Sequence, residues 1–138
     1  MILKKSKSQQ GFTLIELLIV MAILAMLAGI VGPTLINKVG GAKVDTAKTQ
    51  IKNIETSLDA YRLDVGKYPR SLDGLINNES NSKLWAGPYI KKGVPKDPWG
   101  DDYQYRQPGK HSNDYDLFSY GADGKEGGAD DDADVINW

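Results

Sequence analysis

The run FTLIELLIVMAILAMLAGIVGPTLI, Phe12 to Ile36, constrains this chain more than any other feature, because Glu16 is its only ionisable side chain. As a helix, 25 residues rising ~1.5 Å each reach about 37 Å, enough to cross the hydrocarbon layer of a bilayer. A membrane-embedded helix is therefore expected. A secretory signal that is cut away has an apolar core of only about 7–15 residues, and this core is longer. An unprocessed single-span anchor is the other alternative. Lys4, Lys5 and Lys7 precede the run, which predicts a cytoplasmic amino end with the remainder carried across.

A carboxylate well inside lipid costs roughly 2.5–3.5 kcal/mol, so Glu16 needs water or a partner. One reading is a group near enough to the helix end to snorkel to the headgroups. The other requires cleavage after Gly11, which would give Phe12 a charged amine one turn from Glu16. Amine and carboxylate on neighbouring copies could then neutralise each other where an unpaired charge is expensive. The lysine-rich leader, Gly11, the segment Phe12-Thr13-Leu14-Ile15-Glu16 and the apolar helix together resemble the class III signal of type IV pilins and pseudopilins. That resemblance implies cleavage after Gly11 and N-methylation of Phe12 by a prepilin peptidase, with the chain as substrate and not as enzyme.

Gly29, Gly32 and Pro33 weaken the helix where it would leave the membrane, since proline removes an amide donor and glycine lowers helix propensity. A bend or a locally unwound section is expected there. Further on, Val44, Ala47, Ile51, Ile54, Leu58, Tyr61 and Val65 are spaced alternately by three and four residues. That spacing is one apolar stripe on a helix. Gly66 ends it, with Tyr68-Pro69 beyond. From there to Trp138, turn-forming residues separate short candidate strands at Asp102–Arg106 and Tyr115–Tyr120, and a short helix follows Ser71. The expectation is an α+β fold: one long helix, membrane-spanning over residues 12–36 and amphipathic over 37–65, packed on a small antiparallel sheet within a domain of residues 66–138. Trp85, Tyr89, Trp99 and Trp138 read as core and edge anchors. His111, the lone histidine, reads as an exposed loop residue.

Charge is nearly balanced, 17 basic against 18 acidic residues, and no basic stripe for nucleic acid stands out. There is no cysteine, which excludes disulfides and thiolate chemistry. No nucleophile and base pair or phosphate-cradling glycine loop is evident. A domain this small without disulfides commonly leans on a metal or a partner. Attention therefore falls on the acidic loop, residues 120–134, where Asp123, Glu126, Asp130, Asp131, Asp132 and Asp134 face one Lys125. Glycine-bearing, oxygen-rich segments suit calcium, but no EF-hand spacing is present. On composition, a solvated loop and a calcium site stand level.

The succession Lys67-Tyr68-Pro69, Gly87-Pro88-Tyr89-Ile90, Asp97-Pro98-Trp99-Gly100, Tyr115-Asp116-Leu117-Phe118-Ser119 and Gly121-Ala122-Asp123-Gly124 is similar to the major pseudopilins of type II secretion systems. The likeness covers essentially the whole chain. It implies calcium as cofactor in the acidic loop, with Asp123 as side-chain ligand and the carbonyls of Tyr120 and Lys125 beside it. For the remaining ligands, counting forward from Asp123 nominates Asp130 and Asp131, and counting back from Trp138 nominates Asp132 and Asp134. It further implies a leader over residues 1–11, assembly through Phe12, Glu16 and Pro33, and a homopolymeric periplasmic fibre that helps to export folded proteins. Implied partners are the prepilin peptidase, minor pseudopilins, the inner-membrane assembly platform and the membrane itself. A surface type IV pilin for adhesion, motility or DNA uptake and a membrane-anchored calcium-dependent binding module are the alternatives.

Overall fold

The computed structural model describes residues 10–138. The expected leader, with Lys4, Lys5 and Lys7, lies outside the described residues as far as residue 9. The chain divides into two compact units, one ending at Lys38 and one spanning Val39–Trp138.

Helix α1, Leu14–Val65, runs for 52 residues and belongs to both. In the first unit it is long and apolar enough to cross a membrane, and its large apolar side chains from Leu14 to Ile36 stand exposed, as does Phe12 just before it. The helix continues without interruption through Pro33, so the unwound section expected at residues 29–33 is absent in this state. The physical reason is local: proline removes one donor and crowds one carbonyl four residues back. Here that residue is Gly29, and the loss is confined to this single position of a 52-residue helix.

In the second unit the apolar stripe becomes the inner wall of the domain. Ala47, Ile51, Ile54, Leu58 and Tyr61 are buried, and Val44 and Val65 pack beside them half-buried. A 3.6-residue period keeps such positions on one face only if the helix stays regular. The helix ends at Gly66, whose φ of +87° is left-handed and whose N–H donates to the Arg62 carbonyl at 2.8 Å. Leu72–Leu75 then forms a 3₁₀ turn that delivers Leu75 to the core.

Three antiparallel strands complete the domain in the order β1 (Gln104–Arg106), β2 (Asp116–Ser119), β3 (Val135–Ile136). Gln104 stands opposite Phe118, and Phe118 opposite Ile136. β1 and β2 are shorter than the sequence suggests by two residues and by one at each end, and β3 is an element the alternation did not reveal. All four residues of central β2 are buried, because both faces are covered. Leu117 joins Tyr103, Tyr115 and Val135 against the helix stripe. On the other face Phe118 lies beneath the Arg106 guanidinium, 4.9 Å from the ring centre, and meets Tyr120 and Trp138 edge-on.

Trp85, Tyr89 and Trp99 pack half-buried on the core, the anchoring role expected of them. Tyr103, Tyr105 and Tyr115 are held above the usual phenol range by burial, with nearby acids or phenols adding to the shift. Each hydroxyl that buries itself this way needs a partner. Tyr105 donates to the Pro69 carbonyl at 2.8 Å, and Tyr103 to Gln50 on the helix.

Candidate functional site

Two regions hold the residues singled out by sequence. At the start of α1, Thr13 and Glu16 form a reciprocal pair: Thr13 N–H donates to Glu16 Oε2 at 3.1 Å, and Glu16 N–H donates to Thr13 Oγ1 at 3.3 Å. This is a capping box, in which two amides left bare at a helix start find acceptors on side chains three residues apart. The T-x-x-E spacing of Thr13 and Glu16 carries this signal in the sequence. Glu16 therefore already has a partner within its own chain, and Phe12, Glu16, Leu17 and Val20 line an open apolar recess around it. Gly11 and Phe12 precede the helix, and Pro33 lies within it.

The second region is the acidic loop between β2 and β3. Its neck is built from main chain. Gly121 has φ of +73°, and a Cβ there would come within 2.6 Å of the Ala133 carbonyl oxygen, so no larger residue fits. Gly121 N–H donates to Ser119 Oγ at 3.1 Å, and that hydroxyl donates to Asp97 Oδ2 at 2.5 Å. Asp97, buried, also accepts the amides of Trp99 and Asp101. The DPWG turn is thereby fastened to the neck of the loop.

Within the loop, Asp123 Oδ1 accepts Lys125 N–H at 3.0 Å, and Asp134 Oδ2 accepts Gly127 N–H at 3.0 Å. Asp130–Asp132 makes a 3₁₀ turn, and Asp130 adopts a left-handed φ of +53°, a conformation that short acids tolerate better than most residues. Among the described residues no three acidic or histidine side chains converge. A cation there would draw on main-chain oxygens too. One atom argues that the residues fit such an ion: Asp134 Oδ1 is buried and has no hydrogen-bond partner. Leaving a buried acceptor bare costs about 1–3 kcal/mol, more when it is charged. A hard cation bound by oxygens would satisfy it, and all the donors at hand are oxygens. Asp101 was not singled out by sequence, yet its Oδ2 faces the loop, 3.4 Å from where a Gly124 Cβ would stand.

His111 is the exposed loop residue that the sequence suggests, and it also makes specific contacts. Its ring lies flat against Trp138, with centroids 4.2 Å apart and planes 4° apart, and its Nδ1 is 3.1 Å from Asp116 Oδ2. Asp116 is fully buried and accepts the amides of Lys110, His111 and Ser112. Burial alone would push its carboxyl upward, but the three amides and the imidazole prevail and hold it at about 2. The histidine thus closes a turn over β2.

Residues 34–138 match the family described as type II secretion system (T2SS), protein G. The chain belongs to the type II secretion system protein G family. Residues 6–32 separately match the prokaryotic N-terminal methylation motif. Among relatives in this family, the type II secretion system core protein G of Pseudomonas aeruginosa is 45% identical across 96% of both chains. That of Vibrio cholerae is 42% identical over 99% of this chain and 96% of its own. The crystal structure of the major pseudopilin from the type 2 secretion system of enterohaemorrhagic Escherichia coli is also similar. It is 34% identical, with a TM-score of 0.59, over 77% of this chain and 95% of that one. These likenesses favour a protein G pseudopilin over a surface type IV pilin or an anchored binding module.

Proposed function

We propose that this protein G family member is the major structural subunit of a secretion pseudopilus, polymerising into a periplasmic helical fibre that helps to export folded proteins across the outer membrane. The observation that carries the reading is the exposed apolar helix, opened by the Thr13–Glu16 box inside a methylation motif and continued into a protein G domain. Such a helix has two places to be stable, a bilayer and the interior of a bundle of its own copies. Moving between them is what assembly requires.

In this account the prepilin peptidase cuts after Gly11 and methylates Phe12. The subunit waits in the inner membrane with its amino end cytoplasmic and its domain periplasmic. Docking then brings the Phe12 amine of one copy to Glu16 of another, and the carboxylate already oriented by Thr13 exchanges an internal partner for an external one. Pro33 adds a point where the helix could stretch on assembly. Minor pseudopilins and the inner-membrane platform would start and drive growth. The work is mechanical, performed by a polymer and not by a catalytic centre.

Calcium belongs to the same proposal, as an ion held by Asp123, Asp134 and main-chain oxygens of Tyr120 and Lys125, with Asp130, Asp131 and Asp132 as further candidates. Bound there, it would supply charge neutralisation and cross-linking to a loop too short of packing to order itself. Asp134 brings the bare oxygen. Gly127 N–H holds the other oxygen of that carboxylate in place.

Deleting the gene tests the reading. Folded secreted proteins should accumulate in the periplasm, and the wild-type gene should restore their release. Normal secretion by the deletion strain would overturn it.

A further inference from the structure

Four residues after the acidic loop tie together three parts of the domain. Val135 and Ile136 pair with Ser119 and Phe118 on β2. Asn137 Oδ1 accepts Leu117 N–H at 2.9 Å, while its Nδ2 donates to Glu55 Oε1 on α1 at 3.0 Å. Trp138 stacks on His111 and abuts Phe118 at 5.7 Å. Immediately before this segment stands Asp134, with one oxygen holding the loop at Gly127 and the other buried and bare.

We propose that residues 134–138 form a strap that couples cation occupancy of the acidic loop to the docking of β3 on helix α1, through Asn137 and the His111–Trp138 stack. The inference rests on the calcium reading above and extends it from the loop to the helix.

The argument begins with length. A two-residue strand makes too few pairings to stay docked unaided, since short isolated pairings are marginal in water. Val135 is buried in the core and Ile136 is exposed, so what holds the two ends adds to the anchorage of one side chain. At the downstream end the holder is Asn137, and its chemistry is specific. An amide side chain offers an acceptor and a donor together. Leu117 N–H requires the first and the Glu55 carboxylate the second. At the upstream end the holder is Asp134, fixed by a single hydrogen bond. A cation on the bare oxygen would fix both oxygens, and with them the backbone that leads directly into Val135. The two ends are then held in common, so ordering one lowers the cost of ordering the other. By linkage the effect is reciprocal: loosening Asn137 weakens the ion, and removing the ion loosens Trp138.

His111 provides the readout because it is the only histidine. Its ring resonances, recorded on the full chain in detergent micelles, are displaced by the Trp138 ring lying against them. Addition of EDTA should move them toward unstacked positions, and calcium should restore them along the same curve that calorimetry gives for binding. Asn137→Ala and Glu55→Ala should each weaken calcium binding about tenfold, within the usual range of such couplings. Glu55 lies on the helix, so a loss there cannot come from removing a ligand in the loop. Calcium binding by the wild type with no movement of His111, or wild-type affinity in both variants, would overturn the strap and leave the calcium reading standing. Calorimetric silence from the wild type would overturn both. Should Asn137→Ala fail to fold, the wild-type titration together with Glu55→Ala decides the matter.

Discussion

Glu16 and Asp116 show how differently two acids can be accommodated in one chain. Glu16 is answered locally, by the amide and hydroxyl of Thr13. Glu16→Ala removes both the cap and the proposed intermolecular partner, whereas Glu16→Gln keeps an acceptor for the Thr13 amide. Both variants should be cleaved after Gly11, and both should lose fibres by electron microscopy if the charge is what docks. Fibres from Glu16→Gln but not from Glu16→Ala would assign the residue to capping alone. Asp116 is answered by three amides and an imidazole, which set its carboxyl at about 2. A native value below the unfolded one of about 3.9 means the stabilisation is intact above that pH and is lost as pH falls from there through about 2. Thermal melts of Asp116→Asn should accordingly lie lower at pH 7, by about 2–3 kcal/mol for lost charge-assisted hydrogen bonds. They should also lack the acid-dependent fall between pH 4 and 2 that wild type shows. Neither arrangement was plain in the sequence. The T-x-x-E pattern was readable, but the enclosure of Asp116 depends on a turn at residues 110–112 folding back across β2.

At the scale of elements, the helix was legible and the sheet only partly so. Spacing of three and four residues repeats through the 22 residues from Val44 to Val65, and five of the seven stripe positions are buried. The strands are too brief for alternation to accumulate, and β2 is covered on both sides, so its residues do not alternate at all. β3 escaped notice because two residues carry no period. Gly29, Gly32 and Pro33 predict a bend or a locally unwound section, yet α1 stays helical through them. The stripe makes a quantitative demand. Leu58 is completely buried, and Leu58→Ala should lower unfolding free energy by about 2–5 kcal/mol. Exposed Lys52→Ala should change it by no more than about 0.5 kcal/mol. Denaturant titration of the full chain in micelles distinguishes these, and similar losses from both would mean the stripe does not carry the core.

For the whole molecule, family membership was visible because its marks are spread along the chain, from the methylation motif to the residues bracketing the acidic loop. The order of the loop was not visible, since it depends on a left-handed Gly121, on the Ser119–Asp97 bond and on one unsatisfied oxygen. If calcium fills that need, an excess of 100-fold over its dissociation constant adds about 2.7 kcal/mol to stability. EDTA should therefore lower the melting temperature of wild type clearly and that of Asp123→Ala hardly. Equal drops in the two proteins would remove Asp123 from the site.

The uncovered apolar side chains of Phe12 and of α1 from Leu14 to Ile36 give the subunit an unusual thermodynamic standing. Each of them represents packing still to be gained, which in lipid comes from close contact between helices and not from leaving water. A solitary copy is thus an intermediate in its own folding. In the assembly proposed above, the bilayer would serve as a temporary solvent for surfaces whose final contacts come from more copies of the chain.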